Sequence, residues 1–148
     1  MRILVLNGPN INLLGLREPD IYGIDTYESL CSTISAYCKA RDIEVFFYQT
    51  NHEGCIVDKI QESMKKIDGI VLNPAAYTHT SIAIPDAIKA TQIPTVEVHI
   101  SNVDKREDFR KISYVAPACI ATIKGHGIDG YKEAIDILCK HIEGNSSI

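Results

Sequence analysis

The chain has 148 residues, 45% of them apolar and 23% charged, the length of one domain and the balance of a folded protein rather than a disordered one. Its 15 Lys and Arg against 19 Asp and Glu give a formal net charge of -4 with no basic block, so the positive footprint of nucleic-acid binding is missing. Apolar runs such as Ile3–Leu6 stop far short of the ~20 residues a bilayer crossing needs, and Asn7 and Pro9 cut that run too early for a signal-peptide core.

The elements follow in chain order. ILVL at 3–6 reads as a first strand, and the 18 residues from Gly8 to Asp25 follow it with neither helical nor strand pattern. A loop that long in a compact domain is functional or disordered. Asn10, Asn12, Arg17 and Tyr22 among its turn residues favour a lid over a plain surface loop. A helix is predicted over 26–41, with Thr26 as its N-cap and Tyr27, Leu30, Cys31, Ile34 and Cys38 on one stripe. Then come a strand at 45–48, a helix at 53–67, a strand at 69–73, a helix at 81–91 and strands at 95–100 and 118–123. The last helix, 128–143, is expected to stop at Gly144 and leave a frayed tail at 144–148.

Continuous rather than alternating apolarity in these strands indicates cover on both faces, as in a parallel sheet. The order predicts a flavodoxin-like, doubly wound α/β fold of five parallel strands in the order 2-1-3-4-5, with helices on both faces and one domain over 1–148. Ligands of such sheets sit outside the carboxyl ends of the strands, at the switch point beside strand 1.

Those ends carry the polar groups. After strand 3 comes NPAAYTHTS, where Asn73 closes the strand and His79 either meets a ligand or caps the next helix. In TVEVHIS, alternation puts Glu97 and His99 on one face and Val96, Val98 and Ile100 on the other. A buried carboxylate beside an imidazole fixes the ring's tautomer and leaves its second nitrogen for proton transfer. The bland alternative is a satisfied structural pair. Ser101, Arg106 and Arg110 then offer a hydroxyl and two guanidinium groups to an anionic or hydroxylated ligand, unless DKREDFRK is only a solvated face.

Two motifs are set aside. GHGIDG at 125–130 satisfies G-x-G-x-x-G, but a dinucleotide site needs that turn after the first strand with an acidic residue about 20 positions on. His79, Glu97 and His99 have no recognised metal-ligand spacing, so no metal is expected. Five cysteines (Cys31, Cys38, Cys55, Cys119, Cys139), odd in number and without a C-x-x-C pair, fit small buried hydrophobes in a reducing cytoplasm.

LNGPNINLLGLREPDIYG, NPAAYTHTSIAIPDA, EVHISNVDKREDFR and GHGIDGYKEAI together resemble the type II 3-dehydroquinate dehydratases (type II dehydroquinases) over essentially the whole chain. The resemblance implies a cofactor-free, metal-free hydro-lyase. It would turn 3-dehydroquinate into 3-dehydroshikimate by trans elimination through an enolate, in the shikimate route to aromatic amino acids or in quinate breakdown. It also implies a homododecamer built as a tetramer of trimers.

Position by position, the resemblance makes Tyr22 the proton-abstracting base, with Arg17 the lid group that supports it. His99 becomes the general acid with Glu97 behind it, and Asn10 the holder of a water or of the enolate. Asn73, His79 and Arg110 match substrate-binding positions, Ile100 and Ser101 grip the substrate carboxylate, and Asp86 reaches a neighbouring subunit's site. Arg106 falls in the same motif. Ile11 and Ala121 depart from the usual leucine and glycine and remove no catalytic group. Other classes of reading are a non-catalytic flavodoxin-like module (flavin-binding, or a phospho-receiver lacking the expected acidic residues) and an imine route through Lys124.

Overall fold

The computed structural model describes residues 1–16, 18–22 and 25–146, with side chains for all of these except Pro19 and Tyr22. Five strands form one sheet: β1 Arg2–Asn7, β2 Glu44–Gln49, β3 Gly69–Asn73, β4 Thr95–His99 and β5 Ala121–Lys124. All neighbouring pairs are parallel, and the order is β2-β1-β3-β4-β5, the flavodoxin-like arrangement. The helices are α1 Pro19–Tyr22, α2 Tyr27–Lys39, α3 Glu53–Glu62, α4 Ala83–Thr91 and α5 Asp129–Ser146.

Period-two alternation explains how one apolar run serves two cores. Ile3 and Val5 pack with Leu30 and Ile34 of α2 and Ile135 and Leu138 of α5. Leu4 and Leu6 turn to the opposite face and pack with Ile56 and Ile60 of α3 and Ile84 and Ile88 of α4. Burying a side chain of this size contributes about 1.5–3 kcal/mol, so a strand apolar on both faces cannot serve as a solvated edge. α2 begins as expected: Thr26 Oγ1 accepts the Ser29 N–H at 3.0 Å, and Ser29 Oγ accepts the Thr26 N–H at 3.1 Å.

Four expectations need correction. The loop after β1 is not without structure, since it holds a 3-10 turn at Ile11–Leu13 and the short α1. Helix α3 stops at Glu62, short of 67, where Ser63 Oγ bonds back to the Lys59 carbonyl at 2.7 Å and Lys65 takes a left-handed φ of 63°. Strand β5 begins at Ala121 and not at 118, because Pro117 holds Ala116–Ala118 in a 3-10 turn. Helix α5 runs through Gly144 to Ser146, whose hydroxyl donates to the Ile142 carbonyl at 2.9 Å. The tail is therefore helical to 146, and 147–148 lie outside the described residues. Among the described residues no helix is long and apolar enough to cross a membrane.

Candidate active site

The carboxyl ends of β1, β3 and β4 open into a cleft of about 530 Å³, counting the space that merges with solvent. Asn10, Asn73, His79, His99, Ile100, Ser101, Arg106 and Arg110 all line it. The switch-point rule and the alternation of strand 4 thus converge on one place.

Its first wall depends on glycine. A Cβ on Gly8 would lie 2.6 Å from the Pro74 carbonyl oxygen, so only glycine lets the turn after β1 meet the turn after β3. The Gly8 N–H donates to the Asn73 carbonyl at 2.7 Å. Asn10 then adopts a left-handed φ of 69°, a conformation that asparagine tolerates better than most residues. Its N–H donates to Asn51 Oδ1 at 3.0 Å, and Gln49 Nε2 donates to Asn51 Oδ1 and Asn12 Oδ1 at 3.2 Å each. The end of β2 therefore carries the start of the loop.

The Glu97–His99 pair lies deeper. Glu97 is fully buried and His99 is 5% exposed, with Nε2 2.7 Å from Glu97 Oε1. Ser113 Oγ donates to both carboxylate oxygens at 2.9 and 3.1 Å, Thr122 Oγ1 stands at 3.4 Å, and Thr78 Oγ1 also donates. Burial alone would push the Glu97 pKa up. The bonds from His99, Thr78 and Ser113, with the attraction of the His99 charge, more than offset it and hold the carboxyl below its ordinary value. A charged carboxylate on Nε2 leaves Nδ1 as the ring's remaining position for proton exchange.

His79 is the second imidazole, its ring 6.5 Å from that of His99 and nearly parallel to it. Its Nδ1 lies 2.8 Å from the Ile112 carbonyl, which can only accept, so the proton sits there and Nε2 is an acceptor in the neutral ring. Burial pushes the His79 pKa down, and His99 and Arg110 add to this, while the Ile112 carbonyl opposes it. The two arginines share one carboxylate: Glu107 Oε2 is 2.8 Å from Arg110 Nε and 3.8 Å from Arg106 Nε. Arg106 Nη2 also stands 3.9 Å from Glu18 of the loop. Among the described residues no group of three His, Cys, Asp or Glu side chains is placed to hold a metal ion.

Asp86 lies on the exposed side of the first turn of α4, away from the lining of this cleft. Arg17 and the Tyr22 side chain lie outside the described residues.

The description of a matching family model, dehydroquinase class II, applies to residues 1–139. The chain belongs to the class II dehydroquinase family. Within that family it is 56% identical over 134 residues to the 3-dehydroquinate dehydratase of Endomicrobium trichonymphae, covering 90% of this chain and 94% of that one. It is 55% identical to the 3-dehydroquinate dehydratase of Fusobacterium nucleatum, covering 95% and 98%. A crystal structure of the type II dehydroquinase from Butyrivibrio crossotus superposes with a TM-score of 0.93 at 55% identity, covering 94% of this chain and 97% of that one.

Several residues around this cleft are not singled out by the sequence. Ser113, Thr122 and Glu107 lie in loops or on the last strand, where no periodicity marks a partner. Thr78 stood within the quoted NPAAYTHTS motif. Glu107 carried one local signal, its i,i+3 spacing to Arg110.

Proposed function

We propose that this dehydroquinase removes water from 3-dehydroquinate to give 3-dehydroshikimate, as a hydro-lyase of the shikimate route to aromatic amino acids. The observation that carries the proposal is the buried Glu97–His99 pair on the wall of a cleft that also presents two arginines and a second imidazole, in a chain of this family. The substrate is a β-hydroxy ketone with a carboxylate. Its elimination needs a base at the carbon α to the carbonyl, donors for the enolate oxygen, and an acid for the leaving hydroxyl.

In this reading the Tyr22 phenolate takes the α proton in the trans sense, and Arg17 is the group that favours the phenolate. Asn10 supports the enolate directly or through a water. His99 gives a proton to the departing hydroxyl, so the products are the enone and one water. Both groups return to their starting states by proton exchange with solvent. Glu97 holds the His99 ring in place for that transfer. Ser101 and the Ile100 N–H hold the substrate carboxylate, while Asn73, His79, Arg106 and Arg110 hold its hydroxyl face. No cofactor or metal enters any step.

Assembly is part of the proposal. Ile82, one helical turn before Asp86, and Phe109 and Ile112, beside Arg110, are exposed apolar side chains, which supports burial against other copies. A homododecamer, a tetramer of trimers in the cytoplasm, would let Asp86 complete a neighbour's site. The test is direct. Purified protein treated with a chelator and mixed with 3-dehydroquinate should raise enone absorbance, and borohydride added during turnover should leave the protein mass unchanged. No absorbance, or absorbance restored only by a divalent ion, refutes the proposal. A trapped adduct on Lys124 would replace the enolate route with an imine.

A further inference from the structure

Tyr131, in the first turn of α5, is fully buried and takes no part in the chemistry above. Its phenol lies between two asparagines that end adjacent strands, 2.7 Å from Asn7 Oδ1 and 2.9 Å from Asn73 Nδ2. A phenol has one proton, and the Asn7 carbonyl oxygen can only accept. The proton therefore points to Asn7, and the Asn73 N–H donates to the phenol oxygen. Burial pushes the Tyr131 pKa far up, against the smaller opposing effect of Asn73, so the proton stays in place throughout the working pH range.

The other end of the Asn73 amide is also occupied. Its Oδ1 accepts the N–H of Ala75, at 3.1 Å, in a turn where Ala75 takes a left-handed φ of 52°. With Oδ1 committed to Ala75 and one N–H to Tyr131, the second N–H is the remaining donor that Asn73 has for the cleft it lines.

We infer that Tyr131 is a positioning residue: its phenol holds one end of the Asn73 amide, so that Asn73 meets a bound substrate as a fixed N–H donor. Without the phenol the amide keeps only the Ala75 tether and swings about it. This deepens the proposed function, resting on the assignment of Asn73 as a substrate-binding residue.

The glycines of the 125–130 motif bring Tyr131 to this position. The Gly125 N–H donates to the His99 carbonyl and the Gly127 N–H to the Ile100 carbonyl, each at 3.1 Å, and both glycines have positive φ. A Cβ on Gly130 would stand 3.3 Å from Ile123 Cγ2 and 3.5 Å from Val98 Cγ1. Glycine there lets the start of α5 lie close against β4 and β5, and Tyr131 follows it under the sheet to reach β3 and β1.

The test uses Tyr131→Phe, Asn73→Ala and the double variant, each assayed for KM, kcat and thermal unfolding with 3-dehydroquinate. Tyr131→Phe should raise KM about tenfold, the scale of one lost oriented hydrogen bond, and change kcat by less than about threefold. In the Asn73→Ala background the same substitution should leave KM where Asn73→Ala put it, because the group being positioned is already gone. A purely structural tyrosine would lower the unfolding temperature without moving KM, and that result overturns the inference, as do KM effects that multiply in the double variant. If Tyr131→Phe does not fold, Asn7→Ala withdraws the acceptor of the phenol proton and should raise KM in the same direction; an unchanged KM there overturns the inference as well. If Asn73→Ala leaves KM untouched, the inference falls with the role of Asn73, while turnover by the wild type still upholds the activity.

Discussion

Exchanging Glu97 for glutamine keeps the volume of a fully buried side chain and removes its charge. In the wild type the carboxylate receives His99 Nε2 at 2.7 Å, Ser113 Oγ at 2.9 and 3.1 Å, Thr122 Oγ1 at 3.4 Å and Thr78 Oγ1. Hydroxyl groups can turn round and accept from an amide N–H, whereas the imidazole N–H must still donate. The amide oxygen therefore takes the Oε1 place facing His99 and Thr78, its nitrogen faces Ser113 and Thr122, and the ring keeps its orientation. What is lost is the charge opposite the ring. A hydrogen bond to a charged partner contributes about 1.5–3 kcal/mol against about 0.5–1.5 kcal/mol for a neutral one, a difference of about 1–1.5 kcal/mol. That difference corresponds to a factor of about ten. Glu97→Gln should therefore lower turnover about tenfold, well short of the roughly 10²–10⁴ expected on losing the acid itself. Initial rates of enone formation at neutral pH read this quantity. A variant with wild-type rates would show that Glu97 is a structural partner only.

Other expectations follow from the proposed mechanism. Tyr22→Phe should abolish most turnover with substrate binding still measurable, and retained turnover would mean that another base operates. Arg17→Met should slow the reaction and move the acid limb to higher pH; a slow variant with an unmoved limb would reduce Arg17 to a positioning role. Asp86→Ala should lower activity or weaken the proposed trimer, and normal kinetics in a stable monomer would contradict its proposed place in a neighbour's site. The Glu97 carboxyl is held below its ordinary value in the folded protein, so its contribution is present above the unfolded carboxylate pKa and is lost as pH falls through the lowered folded one. The stability of the wild type over Glu97→Gln in urea melts should accordingly shrink as the pH is lowered from about 6 to about 3; a gap that widens would reverse the sign of the coupling.

The sheet was legible because its chemistry is periodic. Ile3–Leu6 and Ile70–Leu72 are apolar on both faces, a pattern that only a strand covered twice satisfies, and β1, β3 and β4 appear within a residue or two of the expected positions. The errors fall where apolarity and backbone geometry part company. Ala118, Cys119 and Ile120 look like strand residues, yet Pro117 keeps the chain turning. Gly144 resembles a helix stop, but glycine within a helix costs only about 1 kcal/mol relative to alanine, and α5 continues past it. At the site, strand alternation revealed the pairing of Glu97 with His99, while the switch-point rule pointed to Asn73 and His79. Ser113 and Asn51 were not legible. They reach the site from turns, where sequence distance says nothing of spatial distance. Tyr131 was visible only as part of an apolar stripe, because periodicity places a phenyl ring in a core and does not say what its hydroxyl meets.

The most direct measurement is steady-state enone formation from 3-dehydroquinate by wild-type protein and by His99→Ala at equal concentration. Their unfolding curves establish that both are folded. The catalytic assignment predicts that the wild type turns over and that His99→Ala loses roughly 10²–10⁴-fold in kcat. A folded His99→Ala that keeps its turnover within about threefold of the wild type, far less than loss of a general acid produces, would contradict it and return the Glu97–His99 pair to an architectural role.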